Sequence, residues 1–327
     1  MSSYDELEEK AKENLLRETE GTPFGGFKAM DREQLESEFV TKNNFVPIPA
    51  DELPSRSFFY DNGTQVLVKS ASVQEVKHFS SINDEDFFDI QDKMSMLFNV
   101  CVRISKNGNP VSYRDLSEFD KIYVFFAVRE RTFLADGHQS TISHKSPCPS
   151  CGEEISVEIE KGNLGYYSIP DSIMKFYDDE RRSFVINHEK FESPLEIFVP
   201  TVGVTEKIFQ YIKEAEIKKQ RGEGGYYDLA DLTIIMYITK DWRDIDDSGK
   251  YIKRKLEEIK RWSVDKYKVA TYVTKTLKVG VDPMMEVHCS KCGKENRVPV
   301  RFPEWSTLLS DESIIGELFG DSSQIDL

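Results

Sequence analysis

The spacing of apolar positions changes period several times along the chain. An extended, proline-punctuated run (Phe45, Val46, Ile48) opens the ordered part and leads into Leu53–Tyr60. A strand is predicted over Gln65–Lys69, and the Asp61-Asn62-Gly63 turn between these two β-prone runs predicts a hairpin joining them. Ser72 followed three residues later by Glu75 is a capping-box pattern for a short helix, with Val73, Val76 and Phe79 expected to face inward. A helical period then governs Asp84–Val100 through Phe87, Phe88, Ile90, Met94, Leu97 and Phe98. Ser117 is the expected cap of a third helix, whose wide apolar face is Phe119, Ile122, Tyr123, Phe125, Phe126 and Val128.

Strict alternation returns at Ile155, Val157 and Ile159, with Glu154, Glu158 and Glu160 between or beside them, the pattern of a half-buried strand. Short strands are predicted at Phe184–Asn187 and Leu195–Val199. Pro200-Thr201 then opens a helical region that runs to about Lys278. It contains an amphipathic segment (Ile208, Tyr211, Ile212, Ala215), a break at Gly222–Gly225, an apolar segment at Asp228–Ile238, a helix marked by Leu256, Ile259 and Trp262, and a last one over Tyr267–Leu277. A strand at Arg297–Phe302 and a short helix carrying Ile314, Ile315, Leu318 and Phe319 complete the reading. The first 44 residues contrast with all of this. They are polar and rich in Glu and Lys, with one weak amphipathic stretch and a Gly-rich break, so a flexible arm is expected there.

The fold class these patterns predict is α+β: a zinc-ribbon-like β module, a large and mostly helical insertion, and an N-terminal region of hairpin plus helices. The expected divisions are residues 1–44 as the arm, 45–160 as an α+β region ending in a first cysteine knuckle, 161–285 as the inserted domain, and 286–327 as the second knuckle with its ribbon strand and C-terminal helix.

Composition narrows the function classes. Across 327 residues, 39% are hydrophobic and 31% charged, enough for a packed core under a well-solvated surface. The net charge of −15 argues against a chain whose main work is gripping phosphate backbones, since that affinity comes from clustered Lys and Arg. Lys253–Arg261 is the densest basic stretch, but Glu257 and Glu258 interrupt it, as on a solvated helix face. No run approaches the roughly 18–20 apolar residues of a membrane span. The acidic Met1–Lys10 is unlike a secretory leader, so a cytoplasmic product is expected.

The chemistry lies in the cysteines. Four of the five form two identical Cys-x-x-Cys-Gly units, Cys148-Pro149-Ser150-Cys151-Gly152 and Cys289-Ser290-Lys291-Cys292-Gly293. Two such turns supply the four soft ligands of a tetrahedral structural zinc, and the same set holds iron in a rubredoxin-like arrangement. Zinc (Zn2+) is the expected ion. The glycine after each second cysteine is expected to adopt positive φ and to turn its amide toward a thiolate. Roughly 137 residues separate the units, far more than the roughly 15–20 of an ordinary ribbon, so the ion is expected to clamp the two ends of a long excursion. His144 and His288 flank the knuckles and read as loop histidines. Cys101, within an apolar run, reads as a buried inert thiol.

Four cysteines would fill the coordination sphere and leave no position for a substrate. The chain has no Walker loop, nucleophile elbow or His-Glu-x-x-His motif. Asp241, Asp244, Asp246 and Asp247 lack the central Gly and terminal Glu of a calcium loop. The expectation is a protein that is not an enzyme.

The run Leu53-Pro54-Ser55-Arg56-Ser57-Phe58-Phe59-Tyr60, then Gly63–Lys69 and Ser72-Val73-Gln74-Glu75-Val76-Lys77, resembles the opening of the baseplate hub proteins of T-even-type contractile-tailed bacteriophages. Knuckles such as Cys148–Cys151 and Cys289–Cys292 also recur in such proteins. The resemblance covers about Phe45–Phe79 and the cysteines. It implies a structural or assembly protein of the tail baseplate that works by binding other tail and hub proteins in the host cytoplasm during assembly; the long N-terminal arm and large insertion depart from smaller members and leave open whether it stays in the virion baseplate or leaves after assembly. A zinc-ribbon regulator associated with nucleic acid is the alternative, and it would need a basic face formed near Lys253–Lys260 and Arg297–Arg301.

Overall fold

Antiparallel pairing in strict chain order builds the first sheet: β1 (Val46–Ile48), β2 (Thr64–Val68), β3 (Val102–Lys106) and β4 (Asn109–Val111). The structure, a computed structural model, describes residues 44–56, 58–133, 142–160, 162–224, 227–278, 280–300, 305 and 308–309. The arm expected over 1–44 and the C-terminal helix expected at Ile314–Phe319 therefore lie outside the described residues, Asn44 excepted. Between β2 and β3 the chain makes α1 (Val73–Phe79) and α2 (Phe87–Cys101), and α3 (Lys121–Phe133) follows β4. The helices start where the side chains can satisfy orphan amides. At α1, Ser72 and Glu75 exchange the reciprocal bonds of a capping box, and at α2 the Asp86 carboxylate accepts from the amides of Phe88 and Asp89.

The core under this sheet contains Val66, Val68, Phe79, Met94, Leu97, Phe98, Val102, Ile104, Phe125 and Val128. Cys101 belongs to it, fully buried, and burial pushes its thiol up to about 12, as an inert thiol requires.

Three local expectations are corrected. The hairpin across Asp61-Asn62-Gly63 does not form, because β2 pairs with β1 and not with Leu53–Tyr60. That segment is a series of turns wrapped round a buried carboxylate: the Ser55 amide (2.8 Å), the Ser55 hydroxyl (2.6 Å) and the Tyr60 hydroxyl (2.8 Å) all donate to Asp120. The two-residue Asn-Gly turn is Asn107-Gly108 instead, with φ of +53° and +82°, the type I′ geometry that matches the twist of β3 and β4. Val73 is 71% exposed, since a seven-residue helix turns only one narrow stripe inward, and Val76 and Phe79 occupy it. Ser117 does not cap α3. It sits in an isolated bridge with Thr201, and the helix begins at Lys121 with the Asp120 carbonyl accepting from Val124.

After a hairpin of β5 (Ile142–Pro147) and β6 (Glu154–Ile159), the chain adds a helical turn, α4 (Asp171–Met174), then an antiparallel sheet of β7 (Tyr177–Asp178), β8 (Ser183–Ile186) and β9 (Leu195–Ile197). Four helices follow: α5 (Val202–Gln220), α6 (Leu229–Ile238), α7 (Lys250–Ile259) and α8 (Val264–Thr276). A second core forms among Phe184, Leu195, Ile197, Ile208, Leu232, Ile235, Ile252, Ala270 and Leu277, joined by Phe119 from the segment before α3. Charged and polar ties cross to the first region. Arg243 makes a two-pronged pair with the buried Asp115 (2.9 and 2.7 Å), and Glu206 accepts from Ser95, Tyr113 and Arg114.

The two ends of this long segment run side by side. Tyr166 and Val281 form an antiparallel bridge, the Tyr167 amide donates to Gly280 and the Asp282 amide donates to Gly165. Among the described residues, no helix is long and apolar enough to cross a membrane.

Candidate metal centre

Next to that paired base stand two β-hairpins of the same design. In the first, β5 (Ile142–Pro147) pairs with β6 (Glu154–Ile159), with Pro147 opposite Glu154. In the second, β10 (Met284–His288) pairs with β11 (Glu295–Pro299), with His288 opposite Glu295. Ile155, Val157 and Ile159 point inward and the acidic residues outward, as their alternation predicts. The hairpins remain separate two-stranded sheets.

Each hairpin closes on a loop with its cysteines at the first and fourth positions, and the two loops repeat the same hydrogen bonds. The Cys148 amide donates to Glu153 (2.7 Å) and the Gly152 amide to Cys148 (2.9 Å); the Cys289 amide donates to Lys294 (3.0 Å) and the Gly293 amide to Cys289 (2.9 Å). Gly152 and Gly293 have φ of +74° and +68°, as expected. A Cβ at either would meet nothing within 4 Å, so the backbone conformation, and not space, calls for glycine. The expected role of their amides is corrected: they bond the carbonyl of the first cysteine, not a thiolate. The amides that bear on the sulfurs' ionisation are those of Cys292 and Lys291 at Cys289 and of Glu153 at Cys151.

The geometry brings all four predicted sulfurs together. Their Sγ atoms lie within 4.8 Å of one another. Two contacts, Cys148 to Cys292 and Cys151 to Cys289, are 3.8 Å long, and all four cysteines are free thiols. A tetrahedron with metal–sulfur bonds of about 2.3 Å has edges of about 3.8 Å, so the set has the dimensions of a four-thiolate ion site. Cys148 and Cys289 are buried, Cys292 is half-buried and Cys151 exposed. Ile155 and Val287 pack against them.

Two of the four thiols are shifted, in opposite directions. The Cys292 and Lys291 amides bring the Cys289 thiol down to about 7. At Cys151 the Glu153 amide works the other way from desolvation and the hydrogen bonds of Cys148, Cys292 and Cys289, which together push it up to about 12. Four sulfurs this close cannot all ionise unless a positive ion offsets their mutual repulsion. The cluster can therefore hold a metal ion through four protein ligands, the arrangement of a structural centre.

Other ties between the hairpins had no signal in the one-dimensional pattern. The Ser150 hydroxyl donates to Asn296 (2.9 Å), and Lys291 pairs with Glu153. His288 is exposed and His144 lies on the inward face of β5 opposite Val157, with both ring nitrogens buried and unbonded; neither belongs to the sulfur cluster.

Several of the remaining charged candidates are engaged with neighbours. Asp246 accepts from the amides of Lys250 and Tyr251 at the start of α7, and the Ser248 hydroxyl and these amides hold its carboxyl well below the usual range. Asp241 pairs with Arg243, and Asp247 with Lys207. Within Lys253–Arg261, Lys255 pairs with Glu258 and Lys260 with Glu257. Arg297 pairs with Asp282.

Comparison of the chain with protein-family models, curated proteins and solved structures gives no match.

Proposed function

We propose that this chain is a non-enzymatic structural or assembly component of a bacteriophage tail baseplate hub, acting by protein–protein binding and held together by a structural zinc ion in a zinc-ribbon-like pair of knuckles. Its partners are other tail and hub proteins. It works in the host cytoplasm during assembly, and a mass-spectrometric inventory of purified particles decides whether it stays in the virion baseplate or leaves.

One observation carries this reading. The residues on which the resemblance to hub proteins rests are interior, fold-determining groups: Leu53, Val66, Leu67 and Val68 are core side chains, and Ser55 and Tyr60 are donors to the buried Asp120. Such a constellation specifies a fold, which is what a family has in common, more than a surface motif would. Zinc is the ordinary occupant of such a closed four-cysteine knuckle, and the same ligands would also take iron, which the metal analysis below distinguishes. The alternative as a nucleic-acid regulator is disfavoured by the net charge of −15, and three residues of its basic face, Lys255, Lys260 and Arg297, are paired to acidic neighbours.

The test is a pull-down with the tagged full chain against the other hub and tail proteins, beside a duplex-DNA binding assay at two salt concentrations. A stable complex with a hub protein and no DNA binding is expected. Salt-sensitive DNA binding without any hub complex would reverse the assignment. Elemental analysis should find one zinc per chain, and a coloured, iron-containing protein would replace zinc with iron.

A further inference from the structure

The two sulfur contacts at 3.8 Å share a pattern. Both run from one hairpin to the other, Cys148 to Cys292 and Cys151 to Cys289. Each also joins a buried first cysteine of one knuckle to the outer second cysteine of the other, Cys148 and Cys289 being buried while Cys151 is exposed and Cys292 half-buried. The sulfurs an oxidant reaches first are therefore Cys151 and Cys292, and the 3.8 Å contact of each is with the sheltered cysteine of the opposite hairpin.

We propose that the centre is a convertible clamp, in which a peroxide oxidant replaces the metal with two disulfides across the hairpins, Cys151–Cys289 and Cys148–Cys292. The inference rests on the metal-centre reading above and concerns its regulation. For each pair, the outer thiolate attacks the peroxide O–O bond, giving a sulfenic acid and one hydroxide. The sheltered thiolate then attacks that sulfenic sulfur, forms the S–S bond and expels a second hydroxide. Each pair gives up two electrons and one peroxide is reduced, so two peroxides oxidise the set. Four thiolates become two neutral disulfides and the metal ion, left without ligands, departs.

The consequence is topological. A disulfide within one knuckle would close a loop of a few residues and leave the hairpins unjoined once the metal had gone. The cross-linked pairs instead keep Cys151 and Cys289 tied at the base of the long segment, where Tyr166 and Val281 also pair. A chain built in a reducing compartment around a metal would keep the same closure in an oxidising one, where free thiolates and their metal do not persist.

The experiment treats the purified full chain with hydrogen peroxide and follows three readouts. Free thiols should fall from five to one, the survivor being the buried Cys101. A chromogenic chelator should report one metal ion released per chain. Non-reducing peptide mapping should find Cys151–Cys289 and Cys148–Cys292. Mapping that finds Cys148–Cys151 and Cys289–Cys292, or sulfinic and sulfonic acids at Cys151 and Cys292, would overturn the proposal while leaving the metal centre intact. Metal analysis before oxidation tests the centre separately, and oxidation of chelator-treated chain still decides the pairing if no ion is found. Cys151→Ser should retain only the Cys148–Cys292 cross-link; a Cys289–Cys292 disulfide in that variant would also count against it.

Discussion

At the scale of single residues, two positions show how burial and backbone geometry decide a side chain's worth. Gly293 has φ of +68° with open space beside it, so Gly293→Ala isolates the conformational term. A loss of about 1–2 kcal/mol is expected in urea unfolding, the cost of a left-handed residue with a Cβ. An unchanged midpoint and slope would mean that the knuckle tolerates another backbone. Asp120 is the second case. Burial raises its carboxyl above the ordinary 3.8, partly offset by the donors Ser55 and Tyr60. The folded chain therefore keeps this proton to a higher pH than the unfolded chain. The stability tied to it is complete below pH 3.8 and drains away as pH rises through the folded value. Asp120→Asn removes that slope, so melting curves collected upward from pH 3 should show the variant gaining on the parent; parallel curves would contradict the assignment. Asp120→Ala leaves the Ser55 and Tyr60 donors unbonded in the interior and should cost about 3 kcal/mol.

At the scale of elements, termini and turns were readable wherever a local chemical rule applies without competition. The Ser72–Glu75 capping box is present, and α1 spans only seven residues, so it depends on that cap. Ser72→Ala should lower stability by about 1 kcal/mol by thermal or urea unfolding; no change would show that packing of Phe79 alone fixes the helix. The alternation at Glu154–Ile159 and the helical periods of α2, α5, α6 and α8 likewise survive in the structure. The rules failed where two sites compete for one signal. The sequence pattern places the hairpin turn at Asn62-Gly63, but it forms at Asn107-Gly108, whose flanking strands are free to pair, whereas Ser55 and Tyr60 are committed to Asp120. The first sheet's two edges, β1 and β4, each carry a proline, Pro47 and Pro110, which removes a donor from a ladder that another chain would otherwise extend.

At the scale of the whole molecule, the centre joins hairpins that are distant in sequence, so removing the ion should be felt well beyond the knuckles. A structural zinc contributes roughly 10 kcal/mol or more in small peptides, and binding free energy of that kind is also folding free energy. Chelation, or Cys148→Ser, should therefore lower the melting temperature and open both hairpins to proteolysis near Cys151 and Cys292. A chelated chain that melts unchanged would show that the Tyr166–Val281 pairing, the Ser150–Asn296 bond and the Lys291–Glu153 pair suffice to hold the base. The two apolar cores are also stitched together by Arg243 with Asp115 and by the donors around Glu206, ties between residues more than ninety positions apart.

What the sequence determined by itself was chemistry of short range. The identity of the four ligands, the positive-φ glycines, the Ser72–Glu75 cap and the period of the main helices depend on residues a few positions apart, where covalent geometry limits the options. Tertiary structure decided everything that requires distant residues to compete for the same space: which strand β2 pairs with, which donors satisfy Asp120, which amides face the sulfurs, and which thiols lie in contact across the hairpins. Those outcomes depend on desolvation and packing in three dimensions, and a buried carboxylate or a sheltered thiol acquires its properties only from the groups that the fold brings against it.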